Sequence, residues 1–238
     1  MPLKTAKGNM YPWVTNMHTH LEGECPHKCA YCYVSGPQHE RPAKYSGDVR
    51  FNKRELNVHY GSGRIIFIEH CNDIFAEGVQ DDWILQILEH CRKFQDNTFV
   101  FQTKNPGRYF DFSVDEYPKH CFFGVTIETN RIVEGLSTAP TPAERAAAMR
   151  EVTGEFPQDW RYFVTAEPIL KFDIDEFSEM IMKIEPDFCN IGADSKNHGL
   201  DEPTIAEIEA LANLLEIDGI EIKEKHNMNR LRQRNLGR

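Results

Sequence analysis

Three cysteines near the N-terminus have the types and the spacing that metal chemistry needs. Cys25, Cys29 and Cys32 form the pattern C-x3-C-x2-C within ECPHKCAYCYV, and Tyr31 directly precedes the last of them. Three thiolates can ligate three irons of a [4Fe–4S] cluster and leave the fourth iron open to an external ligand. They can also bind zinc together with a fourth ligand, or act as redox thiols or form a disulfide. The spacing favours the cluster, because structural zinc sites more often pair two C-x2-C knuckles.

The zinc alternative needs a fourth ligand, and three histidines lie near the cysteines in sequence. His27 falls inside the cysteine loop and cannot easily turn inward without distorting that loop. His18 and His20 end a predicted strand, so we expect them to be better placed as zinc ligands. The other cysteines lack C-x2-C spacing, and we interpret Cys91, Cys121 and Cys189 as core residues and not as a second cluster.

Length and composition favour one large intracellular domain. The 238 residues suit a single domain spanning residues 1–238, and no run approaches the roughly 18 to 20 apolar residues of a membrane span. The first residues, MPLKTAKGNMYPW, lack the apolar core of a secretory signal, which indicates a cytoplasmic protein. Thiols stay reduced in that compartment, so clustered cysteines there favour metal binding or catalysis over disulfides.

Charge argues against a protein that simply coats nucleic acid. The net charge is −10, whereas phosphates attract a basic face. The C-terminal segment 224–238 is locally basic. We expect this tail to be a solvated, frayed end, with contact to phosphate as the sharper alternative.

The elements that must position the cysteines alternate between strands and helices. Continuously apolar runs are typical of parallel strands buried on both faces. Alternation with helical patterns therefore predicts βαβ units, and the length suits a partial, open parallel β/α barrel of six to seven strands better than a closed eightfold one. The polar stretch 35–50 is the longest irregular segment, which we interpret as an active-site loop. The predicted strands are 14–20, 64–70, 98–103, 121–127, 161–167, 187–192 and 219–223.

Helix signals stand between these strands. Residues 81–94 carry an apolar stripe with two aspartates in the first turn, and 141–152 begins with a capping box and a proline. Asp173 and Glu176 can cap the next helix, and residues 202–216 repeat the apolar pattern.

Polar residues close several of the predicted strands. The carboxyl ends of parallel strands meet at one edge, where active sites of such barrels lie, so we expect these residues to converge near the cysteines. The sets are 69–73, 102–104, 126–128, 165–167 and 190–192.

The cysteine triad, its aromatic neighbour and the strand alternation together resemble the radical S-adenosylmethionine (SAM) superfamily. The resemblance covers most of the chain. It implies that the open iron of a [4Fe–4S] cluster chelates SAM through its amino and carboxylate groups. It also implies that an electron from an external donor of flavodoxin or ferredoxin type cleaves SAM to methionine and a 5′-deoxyadenosyl radical.

Within the superfamily, the order FIEHCNDIF, FQTKNP, GVTIETNR and VTAEPIL resembles the spore photoproduct lyase branch. It also resembles radical SAM proteins, mostly of unassigned function, that bacteria and their phages carry. By this likeness Lys104 would pair with the SAM carboxylate, Glu128 with its ribose hydroxyls, and the backbone of 69–73 with its amino group. The remaining residues expected at the cofactor are His70, Asn72, Asp73, Gln102, Thr126 and Asn190.

Three further residues are candidates for the reaction itself. Spore photoproduct lyases use a cysteine in the region of Cys71 as a hydrogen-atom donor, and a thiol S–H bond is weak enough for that task. The local match slips by one position, however, so that His70 falls where the thiol should be, and a small buried residue is the alternative for Cys71. Glu167 and Asp194 are expected at the pocket rim, where they could bind substrate or transfer protons.

The leading functional prediction is a radical SAM enzyme acting on a nucleobase, nucleotide or DNA base, by likeness to the lyase branch. A non-nucleotide small molecule is the nearest alternative substrate, since the chain is acidic. A non-enzymatic zinc- or cluster-binding module forms a rival class, and a hydrolase using a divalent cation at the acidic rim is a third.

Overall fold

The computed structural model describes residues 3–35 and 42–236, without the side chains of 234–236. Within these residues the regular structure comprises ten short strands, five α-helices and four short 3-10 helices. The strands are β1 (Lys4–Thr5), β2 (Asn16–His18), β3 (Leu21–Glu22), β4 (Arg50–Phe51), β5 (Ile65–Ile68), β6 (Thr98–Thr103), β7 (Cys121–Thr126), β8 (Arg161–Ala166), β9 (Phe188–Ile191) and β10 (Glu221–Glu224). The helices are α1 (Asp81–Arg92), α2 (Pro142–Glu155), α3 (Ile174–Met182), α4 (Ile205–Ile217) and α5 (Met228–Leu236).

Eight of the strands form one sheet in the order β1-β2-β5-β6-β7-β8-β9-β10. Every neighbouring pair from β2 to β10 is parallel, and only β1 runs antiparallel to its neighbour. The sheet begins at β1 and ends at β10 without closing on itself. The predicted open parallel β/α barrel is confirmed, with seven parallel strands, because the apolar runs form the sheet and the connecting helices cover it.

The helices begin where their capping signals predict, with one exception. In α2 the Thr141 side chain accepts from the backbone N–H of Glu144 while the Glu144 side chain accepts from that of Thr141, and Thr204 with Glu207 does the same at α4. Asp173 stands at the N-cap position of α3, as predicted, but its side chain does not cap the helix. Its carboxylate instead binds the guanidinium of Arg131, so α3 begins without a side-chain cap.

Two apolar layers cover the two faces of the sheet. The larger one lies between the sheet and the helices and contains the predicted stripe of α1 together with the buried Cys91, Cys121 and Cys189. On the opposite face, Tyr11 and Val14 of the N-terminal segment pack on Phe67, Val100 and Phe163. The N-terminal segment therefore fills the inner face of the open sheet.

The end of the chain is more ordered than the sequence predicts. Residues 228–236 form α5, whose Met228 and Leu231 are buried in the core, so the expectation of a frayed tail is wrong over this segment. These two residues lie three apart and thus on one helical face, which packs, while Arg230 and Arg232 are half-buried and pair with Glu202 and Glu224. Part of the predicted loop 35–50, namely 36–41, lies outside the described residues. None of the described helices combines the length and apolar character needed to cross a membrane.

Candidate active site

A cavity of about 640 Å³ opens at the carboxyl edge of the sheet. Cys25, Cys29 and Cys32 line one part of its wall, directly after β2 and β3. The strand ends supply much of the rest, because parallel strands point their carboxyl ends to the same side. Predicted site residues in the wall are His70, Cys71, Asn72, Asp73, Gln102, Lys104, Thr126, Glu167 and Asp194.

The cysteine loop is a series of tight turns that hold reduced thiols. The backbone N–H of Lys28 donates to Cys25 O at 3.1 Å, and that of Cys32 donates to Cys29 O at 3.0 Å. All three cysteines are free and partly buried. Burial raises the pKa of the Cys25 and Cys29 thiols above the ordinary value.

The chemistry of this donor set fits an iron–sulfur cluster. Across residues 3–35 and 42–236, no three His, Cys, Asp or Glu side chains meet around a single ion. A [4Fe–4S] cluster does not require that arrangement, because each thiolate binds a different iron. The three free cysteines lie on one short loop and line the cavity. They are the kind of ligands that such a cluster takes.

Asp73 ties the cysteine loop to the sheet. Its Oδ2 accepts hydrogen bonds from His27 Nε2, from Thr103 Oγ1 and from the backbone N–H of Lys104, each at 2.9 Å. Its Oδ1 accepts from the backbone N–H of Phe75 at 2.9 Å. Burial would raise the pKa of Asp73, but the His27 charge and these donors outweigh it, and the pKa lies below the usual value. The carboxylate expected near SAM is thus already a structural tie, and His27 turns towards it.

Glu128 is the centre of a second buried cluster of charges. Its carboxylate pairs with Lys104 Nζ at 2.6 Å and with Arg145 Nη1 at 2.8 Å, and it accepts a hydrogen bond from Tyr31. Burial alone would raise the pKa of Glu128, but the Lys104 and Arg145 charges lower it to about 2. Glu128 has no exposed surface. Two residues predicted to bind different parts of SAM therefore bind each other here, beside Tyr31 of the cysteine loop.

Three other predicted cofactor residues contact the N-terminal segment or one another. Tyr11 donates to Gln102 Oε1 at 2.8 Å, and Gln102 donates in turn to Thr126 Oγ1 at 2.9 Å. Trp13 Nε1 donates to Asn190 Oδ1 at 3.4 Å. Asn190 is buried behind the cavity wall, whereas Gln102 and Thr126 line the cavity.

Cys71 lies in the wall beside a tyrosine hydroxyl. The Tyr33 hydroxyl is 3.7 Å from its sulfur and donates to His70 O at 2.6 Å. Burial raises the pKa of Cys71, so the thiol keeps its hydrogen at neutral pH. Tyr45, from the described part of the 35–50 segment, packs against Cys71. His70 also lines the cavity and forms a hydrogen bond with Thr19. Cys71 and His70, the two residues between which the match to the lyase cysteine is offset by one position, therefore line the same cavity.

Asn72, in the same 69–73 segment, binds a backbone carbonyl near the cysteine loop. Asn72 Nδ2 donates to Gly23 O at 3.2 Å, which joins the 69–73 segment to the chain just before the first cysteine.

His18 and His20 belong to a buried polar network and do not turn to the cysteines. His18 contacts Tyr60 at 2.7 Å and Glu55 at 3.0 Å, while His20 contacts Glu69 at 2.9 Å and the same tyrosine at 3.1 Å. Both ring nitrogens of each histidine are thereby occupied. The expectation that they are well placed for zinc is wrong, since a metal would have to displace these partners. Burial lowers the pKa of His20 to about 3 and raises that of Glu69 to about 8.

The end of the cavity formed by β8 to β10 carries Glu167 and Asp194, as predicted, together with partners of Glu167 that the sequence did not indicate. Glu167 Oε2 pairs with Lys225 Nζ at 2.6 Å, and Glu167 Oε1 accepts from Asn9 at 2.7 Å and from Asn227 at 3.2 Å. Asp194, also in the wall, binds His198 at 2.6 Å. Asn9, Lys225 and Asn227 come from opposite ends of the chain, so only the folded arrangement reveals them.

Comparison with protein families adds a sequence relationship. Residues 15–176, from β2 into α3, match the family described as "Protein of unknown function (DUF5131)". The chain belongs to this family. The match includes the cysteine loop, Glu128 and Arg145, and Glu167. No curated protein sequence matches the chain.

Solved structures show the fold class more precisely. A spore photoproduct lyase variant with bound AdoMet and dinucleoside spore photoproduct is similar over 89% of this chain, with 14% identity and a TM-score of 0.56. A radical SAM methyltransferase from Sphaerobacter thermophilus is similar over 90% of this chain and 67% of its own, with 15% identity and a TM-score of 0.55. SuiB of Streptococcus suis, bound to the precursor peptide SuiA, covers 90% of this chain and 49% of its own, with 10% identity and a TM-score of 0.53.

These likenesses confirm the predicted fold: this member of the DUF5131 family has the open β/α barrel of radical SAM proteins. The chain spans 64% of the length of that spore photoproduct lyase.

Proposed function

We propose that the protein is a radical SAM enzyme whose cluster is held by Cys25, Cys29 and Cys32. The observation that carries this proposal is their position: three free thiols line a cavity at the carboxyl edge of a parallel sheet with the radical SAM fold. A [4Fe–4S] cluster with bound SAM supplies, on reduction, cleavage of SAM to a 5′-deoxyadenosyl radical. The protein's part is to orient both ligands and the substrate and to exclude water from them.

We further propose that Lys104 receives the SAM carboxylate. A lysine ammonium has three donors; one binds Glu128, another side faces the Tyr31 ring at 5.1 Å, and the rest of the ammonium is available to a ligand in the cavity that Lys104 lines. Glu128, held on its other side by Arg145, fixes the ammonium in place. Glu128 itself would reach ribose hydroxyls only through a rearrangement of Tyr31, which now occupies it. The backbone of 69–73 faces the same cavity and would take the amino group.

For the substrate we propose a nucleobase, nucleotide or DNA base. The support is the likeness to a spore photoproduct lyase, together with a cavity that holds the Cys71 thiol beside Tyr33. Cys71 would give a hydrogen atom to a substrate radical, since its protonated thiol lies in the wall. A non-nucleotide small molecule is the nearest alternative, because the net charge of −10 disfavours a nucleic-acid substrate with many phosphates.

We also propose a cytoplasmic location and an external one-electron donor. All seven cysteines are free, which suits a reducing compartment. The cluster must receive its electron from outside, since Cys91, Cys121 and Cys189 are buried among apolar residues of the core.

The test is the formation of 5′-deoxyadenosine. The protein is purified without oxygen, reconstituted with iron and sulfide, and incubated with dithionite and SAM, and the product is measured by chromatography. We expect 5′-deoxyadenosine from the wild type and from Cys189→Ala, a control that removes a buried core thiol, but none from Cys29→Ala. If the protein instead holds stoichiometric zinc and no iron, the proposed cluster is refuted and the cysteines have a structural role. A hydrolase using a divalent cation would instead remain active without the triad.

A further inference from the structure

The ion pair of Glu167 and Lys225 faces the cavity from strands remote from the cysteine loop. Glu167 follows β8 and Lys225 follows β10, and their side chains are only 17% and 7% exposed. Both line the cavity. A desolvated pair of charges at a cavity wall marks a place where a ligand's polar groups are recognised.

The carboxylate of this pair is held in one position. Asn9 and Asn227 donate to Glu167 Oε1, while Lys225 donates to Oε2. Gly192 leaves the space that the side chain needs, because a Cβ at that position would lie 2.9 Å from the Glu167 carboxyl carbon. Donors on both oxygens and a glycine beneath the carboxylate make this a preorganised group and not a mobile surface acid.

Each charged group keeps one hydrogen-bond position open. A carboxylate accepts about four hydrogen bonds, and Glu167 accepts three. The Lys225 ammonium has three N–H groups; one binds Glu167, and another side of the ammonium faces the Tyr11 ring at 4.4 Å. Within the described part of the chain no other group fills the remaining positions. The cavity wall thus offers one acceptor and one donor whose atoms are 2.6 Å apart.

The two open positions select a neutral ligand edge that carries both a donor and an acceptor. The pair is neutral as a whole, so a charged ligand group is attracted by one member and repelled by the other and gains little net electrostatic energy. A hydroxyl must serve both partners through one oxygen, whereas the N–H and C=O of a cis-amide meet each partner with an atom of its own. Phe67 also lines the cavity, so a planar ring would find an aromatic contact in the same space.

We propose that Glu167 accepts the N–H, and Lys225 donates to the C=O, of a lactam or imide ring in the substrate. The assignment rests on the proposed function for the reaction that follows binding, and it narrows the substrate to rings that carry this edge. Pyrimidine imides belong to the class, and so do saturated lactams.

Matched ligand pairs test this assignment. Calorimetric titrations of the reconstituted protein with SAM would use thymidine against N3-methylthymidine, and 2-piperidone against its N-methyl derivative. We expect N-methylation to weaken binding about ten- to a hundredfold in at least one pair. Glu167→Gln and Lys225→Met should weaken the N–H ligand and reduce the difference within the pair. Lys223→Met is the matched control, because Lys223 lies on β10, two residues before Lys225, does not line the cavity and pairs with Glu221.

The outcomes separate this proposal from the one on which it rests. Equal binding within both pairs, or no binding of either N–H ligand by the wild type, overturns the assignment whether or not the variants fold. If 5′-deoxyadenosine forms but both ligands of each pair bind equally, the proposed radical SAM function stands and the proposed amide subsite is refuted. If the protein binds the N–H ligand of a pair more tightly than its N-methyl derivative but does not cleave SAM, the subsite is supported and the proposed radical chemistry is refuted.

Discussion

At the scale of single residues, two buried carboxylates organise the candidate site. Asp73 accepts four hydrogen bonds and links the cysteine loop to β6, and Glu128 pairs with Lys104 and Arg145. Neither is free to be a simple ligand for a cofactor. Their contribution is to fix neighbours that face the cavity, which is how a site on loops acquires precise geometry.

Loss of the Asp73 charge should loosen the cysteine loop. In Asp73→Asn an NH2 group replaces one carboxylate oxygen and cannot accept a hydrogen bond. Buried donors that bonded this oxygen are then left unpaired, at a cost of about 1–3 kcal/mol each. We expect less iron per protein after reconstitution than in the wild type, measured by metal analysis. Asp218→Asn, at an exposed helix end, is the control. Equal iron in Asp73→Asn would show that the loop holds its shape without this tie.

The lowered pKa of Glu128 predicts a specific loss of stability in acid. A carboxyl whose folded-state pKa is about 2, against an ordinary 4.5, stabilises the fold above pH 4.5 and loses that contribution as pH falls towards 2. The contribution is on the order of 3 kcal/mol. Urea unfolding at a series of pH values should show a steeper acid decline for the wild type than for Glu128→Gln. Glu216→Gln, which alters an exposed acid, should follow the wild type, and parallel profiles for all three proteins would refute the assignment.

The residue scale also shows the limits of reading the site from the sequence. Cysteine spacing and polar strand ends predicted much of the cavity wall, because both are local patterns. No local pattern indicated that Lys104 and Glu128 would bind each other, or that Arg145 would reach Glu128 from α2. Those contacts depend on side-chain directions in the packed barrel, as does the placement of Asn9 and Lys225 beside Glu167.

At the scale of elements, the strands and helices follow local signals closely. The seven predicted strands became the parallel strands, and the capping boxes at Thr141 and Thr204 start α2 and α4. The sequence missed α5, because only two apolar residues define its buried face among many charged ones. The short β3–β4 pair was missed as well, since two-residue strands leave no periodicity to detect.

The contact between β7 and β8 has no room for a larger residue at position 124. A Cβ on Gly124 would lie 2.2 Å from the ring of Phe163, which is fully buried and stacked on Phe188 at 5.1 Å. Gly124→Ala should therefore lower the free energy of unfolding by about 1–3 kcal/mol through overpacking. Gly154→Ala, in α2 with open space around its Cβ, should be neutral or stabilising. Denaturant unfolding of both variants would decide, and an unaffected Gly124→Ala would show that the ring can move.

At the scale of the whole molecule, both ends of the chain complete one cavity. The N-terminal segment covers the inner face of the sheet with Tyr11 and Trp13, and the segment after β10 brings Lys225 to Glu167. The cavity therefore exists only when the ends are docked. This fits a single cooperative unit and not a barrel with loose tails.

A double-mutant cycle can measure this docking. Tyr11 donates to Gln102 and lies 2.9 Å from Thr165 Oγ1 in the buried layer. Tyr11→Phe and Thr165→Val should each destabilise by about 1–3 kcal/mol. The double variant should lose less unfolding free energy than the sum of the two single variants, by at least about 0.5 kcal/mol, because both substitutions remove the same hydrogen bond between Tyr11 and Thr165. Strict additivity in urea unfolding would mean that the segment does not hold to the sheet through this hydroxyl.

The central claim is a cluster with one iron open to SAM, and electron paramagnetic resonance tests it most directly. The anaerobically reconstituted protein is reduced with dithionite, and its spectrum is recorded before and after addition of SAM. Our account predicts the signal of a reduced [4Fe–4S] cluster that changes shape when SAM binds and is absent in Cys29→Ala. A cluster signal that SAM leaves unaltered, or zinc bound in place of iron, would contradict it.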